Sequence, residues 1–214
     1  MLPFTLDRKG PLNLLFLGAH CDDIEIGCGG TVLRMANELD IKHVQWIVFT
    51  STAERRAEAD RCAEIFLQNV KSKSIIIKDF KDSVLPQQRV EVKNYFEALK
   101  ATYQPDVIFT HYRHDLHQDH RLINELTWNT FRDHLILEYE IQKYDGDIGN
   151  PCFFVPVGED TAGQKVRAIL KCFVSQSTKH WFDRETFLAL MRIRGVESAT
   201  RYAEAFYLRK AILS

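Results

Sequence analysis

The chain has 214 residues, 45% of them hydrophobic and 27% charged, which suits one soluble globular domain with a core of its own and excludes a disordered or fibrous chain. Lys and Arg number 28 against 29 Asp and Glu, a formal net charge of −1, so no long-range field favours nucleic acid or another polyanion as partner. The five cysteines, Cys21, Cys28, Cys62, Cys152 and Cys172, are odd in number, contain no Cys-x-x-Cys pair and read as reduced thiols. Residues 1–11 lack the apolar stretch of a signal peptide, and no apolar run nears the ~20 residues of a membrane span. Both features fit a cytoplasmic protein without a membrane segment, and 1–214 reads as a single domain without linker or internal repeat.

Residues 12–19 form an almost wholly apolar run, as expected of a parallel strand buried on both faces. From Gly29 the spacing of Val32, Leu33, Met35, Ala36 and Leu39 predicts an amphipathic helix. The unit then repeats: strand at 44–50, helix at 54–66, strand at 74–80, helix at 89–99 and strand at 106–111. Beyond residue 130 the pattern loosens, with strands expected near 136–141 and 153–157, helices near 164–174 and 185–193, and a closing strand at 205–208. This alternation predicts an α/β fold: a Rossmann-like, mostly parallel sheet with helices on both faces, a three-layer sandwich. In such sheets ligands sit beyond the carboxyl ends of the strands. The polar clusters lie there: His20, Asp22 and Asp23 after the first strand, residues 51–56 after the second, and residues 111–120 after the strand at 106–111.

Two constellations carry chemistry. Gly18-Ala19-His20-Cys21-Asp22-Asp23-Ile24-Glu25 sets an imidazole and a dense group of acids in a turn, and such ligands suit a borderline cation such as zinc. The bland alternative is an acid cluster complementing a helix dipole. In residues 111–120, four of the eight histidines of the chain lie within ten positions, together with Asp115 and Asp119. A solvated loop would not need histidine in particular. Together the clusters offer three ligands with acid-base groups to spare, the composition of a catalytic site and not of a closed structural one.

The run from His20 to Glu25, with Gly27, Gly29 and Gly30 behind it, resembles the His-Pro-Asp-Asp-x-Glu motif of the PIG-L/LmbE-like de-N-acetylases, and His117-Gln118-Asp119-His120 resembles that family's His-x-Asp-His motif. Arg55-Arg56-Ala57-Glu58, Ile193-Arg194-Gly195 and Tyr202-Ala203-Glu204-Ala205-Phe206 agree in order, so that the resemblance spans nearly the whole chain. It implies a zinc-dependent hydrolase, with iron(II) as the alternative ion, that removes an N-acyl group from a small-molecule amino sugar, glycoside or nucleotide-sugar. It further implies His20, Asp23 and His120 as metal ligands, Asp22 as general base, His117 as oxyanion stabiliser and Asp119 as hydrogen-bond partner of a catalytic imidazole. Arg55, Glu58 and His111 are expected on the substrate pocket, and a homo-oligomer is compatible with the composition.

Two positions depart from the family pattern. Cys21 stands where proline is usual, which alters the stiffness of the turn. Phe173 stands ahead of Ser175-Gln176 where many members carry histidine, which bears on the substrate more than on the chemistry. An amide not borne by a sugar remains an alternative substrate. A non-catalytic nucleotide-binding module is the other alternative, although Gly-x-Gly-x-x-Gly is absent and Asp22, Asp23 and Glu25 would repel phosphate. Trp128, Phe131, Phe153 and Phe154 read as core, His134 and His180 as isolated, and Glu204 as a pocket support or the partner of an arginine. The polar stretch 143–150 is a candidate pocket rim.

Overall fold

The computed structural model describes residues 10–212; the stretch before Gly10, read for a signal peptide, lies outside them. Seven strands form one sheet: β1 (Leu12–Gly18), β2 (Ile41–Thr50), β3 (Lys73–Phe80), β4 (Val107–His111), β5 (Leu135–Tyr139), β6 (Phe153–Val157) and β7 (Tyr202–Leu208). Six α-helices accompany them: α1 (Asp23–Glu38), α2 (Ala53–Phe66), α3 (Arg89–Thr102), α4 (Gln118–Thr130), α5 (Glu159–Cys172) and α6 (Arg184–Glu197). The strand order is β3-β2-β1-β4-β5-β7-β6. β1 to β5 pair in parallel, and β7 lies antiparallel to both β5 and β6.

The apolar run of β1 feeds two cores because alternate side chains leave opposite faces of a strand. Leu14 and Phe16 join Trp46, Val48 and Phe109 under α1, α2, α5 and α6. Leu15 and Leu17 join Ile47, Phe49 and Ile108 under α3 and α4. The result is the expected three-layer α/β sandwich. The order of the strands reverses at β1, so the chain leaves β1 and β4, now neighbours, toward opposite sides and opens a crevice beyond their carboxyl ends.

Helix α1 corrects the expected start at Gly29. It opens six residues earlier, at Asp23, and is kinked at Cys28 (φ −143°, ψ 18°). Gly27 and Gly29 are therefore helical. A Cβ on Gly27 would lie 2.2 Å from the Tyr139 ring, and one on Gly29 2.5 Å from that of Phe66, so these glycines admit buried aromatics to the helix surface and form no phosphate loop. The kink frees amides in mid-helix, and Glu204 of β7 takes two of them, accepting from Gly30 N at 2.7 Å and Thr31 N at 2.6 Å. Its partner is a lysine: Lys165 Nζ, buried with it, donates to Glu204 Oε1 and to Ile26 O, each at 2.6 Å. Arg194 in α6 makes a bidentate pair with Glu140 at 2.6 and 2.8 Å and donates to Gly149 O at 2.9 Å. At Gly195 a Cβ would stand 2.5 Å from Arg201 O.

The distal helices and strands differ in extent from the sequence-based expectation. β7 begins at Tyr202 and α5 at Glu159, because polar residues that blur the apolar period there make tertiary bonds. Among the described residues no helix is long and apolar enough to cross a membrane. Replacing Glu204 by alanine leaves Lys165 buried without its counter-charge, and the expected loss is about 3–5 kcal/mol, read as a drop in the urea midpoint.

Candidate metal centre

The crevice ends in a pocket of about 270 Å³ lined by His20, Asp22, Asp23, Arg55, Asp82, His117, His120, Lys143, Tyr144 and Trp181, among others. Local geometry brings the first motif there. The β1 run stops at Gly18, and Ala19 O accepts both Thr50 N at 2.9 Å and Thr50 Oγ1 at 2.8 Å, which pins the turn to the end of β2. Asp22 is the residue before α1 and Asp23 the first within it. Asp23 Oδ2 accepts His20 N at 2.6 Å and so faces back across the turn. Cys21, at the family's proline position, is buried, its thiol donates to Thr50 O at 3.4 Å, and burial pushes the thiol up to about 12. It therefore serves the turn as a neutral side chain. Glu25 is wholly buried outside the pocket, and burial raises its carboxyl well above the usual range.

The second motif arrives from β4 and α4. His117 is the residue before α4, and its Nδ1 accepts Asp119 N at 3.2 Å. With Nδ1 an acceptor, the neutral ring carries its proton on Nε2. Burial, with the charges of His120 and His20, lowers the His117 pKa and favours that neutral form. His120, one turn into α4, reaches the first motif.

Three atoms converge at the pocket floor. His20 Nδ1 lies 3.3 Å from Asp23 Oδ2, His120 Nε2 lies 3.5 Å from the same oxygen, and the two nitrogens are 3.0 Å apart. The opposite ring nitrogens are committed elsewhere: His20 Nε2 is 3.3 Å from Asp119 Oδ2 and 3.2 Å from Asp82 Oδ1, and His120 Nδ1 is 2.9 Å from Asp115 Oδ2. Carboxylates only accept, so these outer nitrogens carry the protons and the inner ones present lone pairs. Three acceptors thus face one another and need a cation between them. Ligands at 2.0–2.1 Å around a tetrahedral zinc stand about 3.3 Å apart, so the triangle fits the face of such a site. Without an ion, protons are drawn in. Burial opposes protonation of His20 and His120, but Asp23 outweighs it, aided by Asp119 and Asp82 at His20 and by Asp115 at His120, and both pKa values rise. Burial opposes ionisation of Asp23, and His120, His20 and His111 outweigh it and hold its carboxyl well below the usual range. Asp23 with His111 and His120, and His20 with His117 and His120, are further donor groups within this same cluster.

Six of the nine expected residues, His20, Asp22, Asp23, Arg55, His117 and His120, line this pocket, and Asp119, Glu58 and His111 do not. Asp22 and Arg55 line the pocket and are bonded, Arg55 Nη2 to Asp22 Oδ1 at 2.7 Å. Asp119 lies behind His20 and is held by Ser83 N at 2.8 Å and Leu85 N at 3.0 Å. Glu58 is turned away: its carboxylate accepts Ser175 N at 2.8 Å and Ser175 Oγ at 2.6 Å, tying α2 to the turn after α5. It lies three residues beyond Arg55, about 4.5 Å further along α2, where Ser175 and not the pocket meets it. His111 has no exposed surface. It accepts Ala19 N at 2.9 Å and stacks on His120 with centroids 3.9 Å apart, beneath the ligands and out of reach of a substrate. Burial and the charge of His120 lower its pKa to about 4. Phe173 is also wholly buried, in the core.

Sequence reasoning missed Asp82, Lys179 and Trp181, met Asp115 in the histidine-rich segment without giving it a role, and met Lys143 only as part of a polar rim. Asp115 had a local signal, since it lies five residues before His120 in the histidine-rich segment. Asp82 follows β3 and Trp181 lies between α5 and α6, where nothing nearby in sequence marks them.

An α/β crevice with a His–His–Asp donor set and acidic partners behind it forms a candidate metal site at a topological switch point. The family model described as PIG-L, GlcNAc-PI de-N-acetylase, matches residues 15–131, more than half of the chain, and the protein belongs to that family. Among solved structures it is similar to the conserved protein TT1542 from Thermus thermophilus, at 24% identity and TM-score 0.74, over 95% of this chain and 97% of that one. The N,N'-diacetylchitobiose deacetylase from Pyrococcus horikoshii is similar at 19% identity and TM-score 0.70, over 92% and 83%. GalB, the 4-carboxy-2-hydroxymuconate hydratase from Pseudomonas putida, is similar at 15% identity and TM-score 0.74, over 95% and 98%. These likenesses establish a shared fold, and a fold that serves both a deacetylase and a hydratase does not by itself name the reaction.

Two substitutions separate the roles read from this geometry. Asp115→Asn is expected to weaken metal binding about 10–100-fold in a folded chain, measured by competition with a chromophoric chelator. Glu58→Ala is expected to leave metal binding unchanged and to lower stability by about 1–3 kcal/mol, measured by urea denaturation.

Proposed function

We propose that the protein is a metal-dependent hydrolase that removes the N-acetyl group of an amino sugar or its glycoside, with His20, Asp23 and His120 holding the ion. The observation that carries this reading is the convergence of three lone-pair donors at 3.0–3.5 Å, their outer nitrogens committed to carboxylates. Two imidazoles and a carboxylate suit zinc, and they also suit iron(II). Family membership supports deacetylation, and the Pyrococcus horikoshii relative acts on an acetylated sugar by its name. The pocket supports a sugar as well, because Tyr144 and Trp181 line it beside Asp145 and Lys179, aromatic and polar groups of the kind that hold a sugar's apolar patches and hydroxyls.

When bound, the ion supplies Lewis-acid polarisation of the amide carbonyl and a lowered pKa for attacking water. Asp22, bonded to Arg55 at 2.7 Å, would accept the proton of the attacking water and return it to the nitrogen as the C–N bond breaks. His117, with Nδ1 engaged by Asp119 N, offers Nε2–H toward the carbonyl oxygen as negative charge develops there. Asp115 and Asp119 keep the imidazoles of His120 and His20 in the tautomers that ligation requires.

The test is metal content together with amine release from N-acetylglucosamine, N,N'-diacetylchitobiose, an N-acetylglucosaminide and a nucleotide-sugar, before and after chelation. Stoichiometric metal and release that stops on chelation are expected. Bound metal with no release from any of these would end the sugar reading and turn attention to other amides or to water addition of the kind named for GalB. Asp22→Asn is expected to keep its metal and lose roughly 10²–10⁴ in kcat, whereas His120→Ala loses metal. An Asp22→Asn protein purified without metal would reverse the assignment of base and ligand.

A further inference from the structure

We propose that Lys143 is a positioning residue: from the pocket rim its ammonium holds Asp115 against His120, so that the affinity of the metal centre depends on this one cation. The inference rests on the reading of His120 as a ligand. It starts from one oxygen. Asp115 Oδ2 lies 2.9 Å from His120 Nδ1 and 3.1 Å from Lys143 Nζ, so the carboxylate that orients the imidazole is itself held by the ammonium. The Lys143 side chain is only 10% exposed.

The same ammonium bonds Asp147 Oδ2 and lies 3.9 Å from Asp145 Oδ2. Three carboxylates around one cation leave no positive charge over for a substrate anion, although Lys143 lines the pocket. Its task is therefore internal. Asp147 Oδ2 also accepts Leu116 N at 2.7 Å, which ties the rim back to the segment between Asp115 and His117. At the far end of the rim Arg194 holds Gly149 O at 2.9 Å. Between these anchors Tyr144 and Asp145 face the pocket. A substrate that presses on them bears on a segment whose first residue grips the orienter of His120. Were Lys143 neutral, Asp115 would confront Asp145 and Asp147 without a cation. Repulsion would then swing Asp115 from His120, which loosens the ligand.

Zinc affinity is measured by chelator competition on the full chain, with kcat and KM on whichever sugar of the panel the wild type hydrolyses. Lys143→Met is expected to bind zinc about 10–100-fold more weakly, and Lys143→Arg, which keeps the charge, to recover most of that loss. Asp147→Asn weakens the tether by replacing a charged acceptor with a neutral one and spares the Lys143–Asp115 contact, so it should raise KM while leaving zinc affinity near that of wild type. Should Lys143→Met fail to fold, the double variant Lys143→Met with Asp147→Leu removes one charge of each sign from the rim, and the same loss of zinc affinity is expected of it. Wild-type zinc affinity in the neutral variant would overturn the inference, as would an equal loss in Asp147→Asn, which would mean that any damage to the rim suffices. A wild-type chain that binds no zinc would overturn the metal centre itself, and this inference with it.

Discussion

Three electron-pair donors point at one another around Asp23, and much of the molecule serves to keep them there. His20 and Asp23 come from one turn and His120 from another, brought side by side because β1 and β4 are neighbours in the sheet although about 90 residues apart in sequence. Their mutual repulsion would scatter free side chains. Here each is held from behind: Asp23 by His20 N, His20 by Asp119 and Asp82, His120 by Asp115. The arrangement is preorganised for a cation, since the donors are aligned before one arrives and little must be reordered to receive it.

That preorganisation places charge in poor solvent. Asp23, Asp115 and Asp119 are buried, and a buried carboxylate persists only where partners replace water. Backbone amides do much of this. Asp119 takes Ser83 N and Leu85 N, and Asp115 takes His117 N at 2.8 Å. Glu25, without such a set, has its carboxyl pushed toward the neutral form by the same burial. Within a few residues the motif therefore contains a ligand, a pocket carboxylate and a core acid, distinguished by surroundings alone.

Much of this was legible in the sequence where the signal is local. The apolar run of β1 and the alternation of strand and helix announce an α/β sheet, and the clusters after β1 and β4 announce the candidate donor set, because a strand end fixes where its next residues point. The failures also have physical causes. The stretch from Asp23 to Cys28 reads as a turn ahead of the helix, yet it is helical, and the missing Cβ of Gly27 within it makes room for Tyr139. Helix α4 was not foreseen as an element because its polar first turn is recruited by the site. His111 belongs to the histidine-rich segment and was read with it, but it is the last residue of β4 and points inward. Asp82, Lys143 and Trp181 reach the pocket through topology, which no spacing in the sequence records.

The kink in α1 has a consequence for the order of assembly. The amides it frees are closed by Glu204, and Glu204 lies on β7, which slots between β5 and β6. The helix that presents Asp23 thus depends on a strand that emerges from the ribosome some 180 residues later. Until β7 inserts, Lys165 has no counter-charge and Gly30 N and Thr31 N have no acceptor from it, so the opening turn of α1 lacks its final brace. In a growing chain the donor set reaches its finished rigidity only when the sheet is closed.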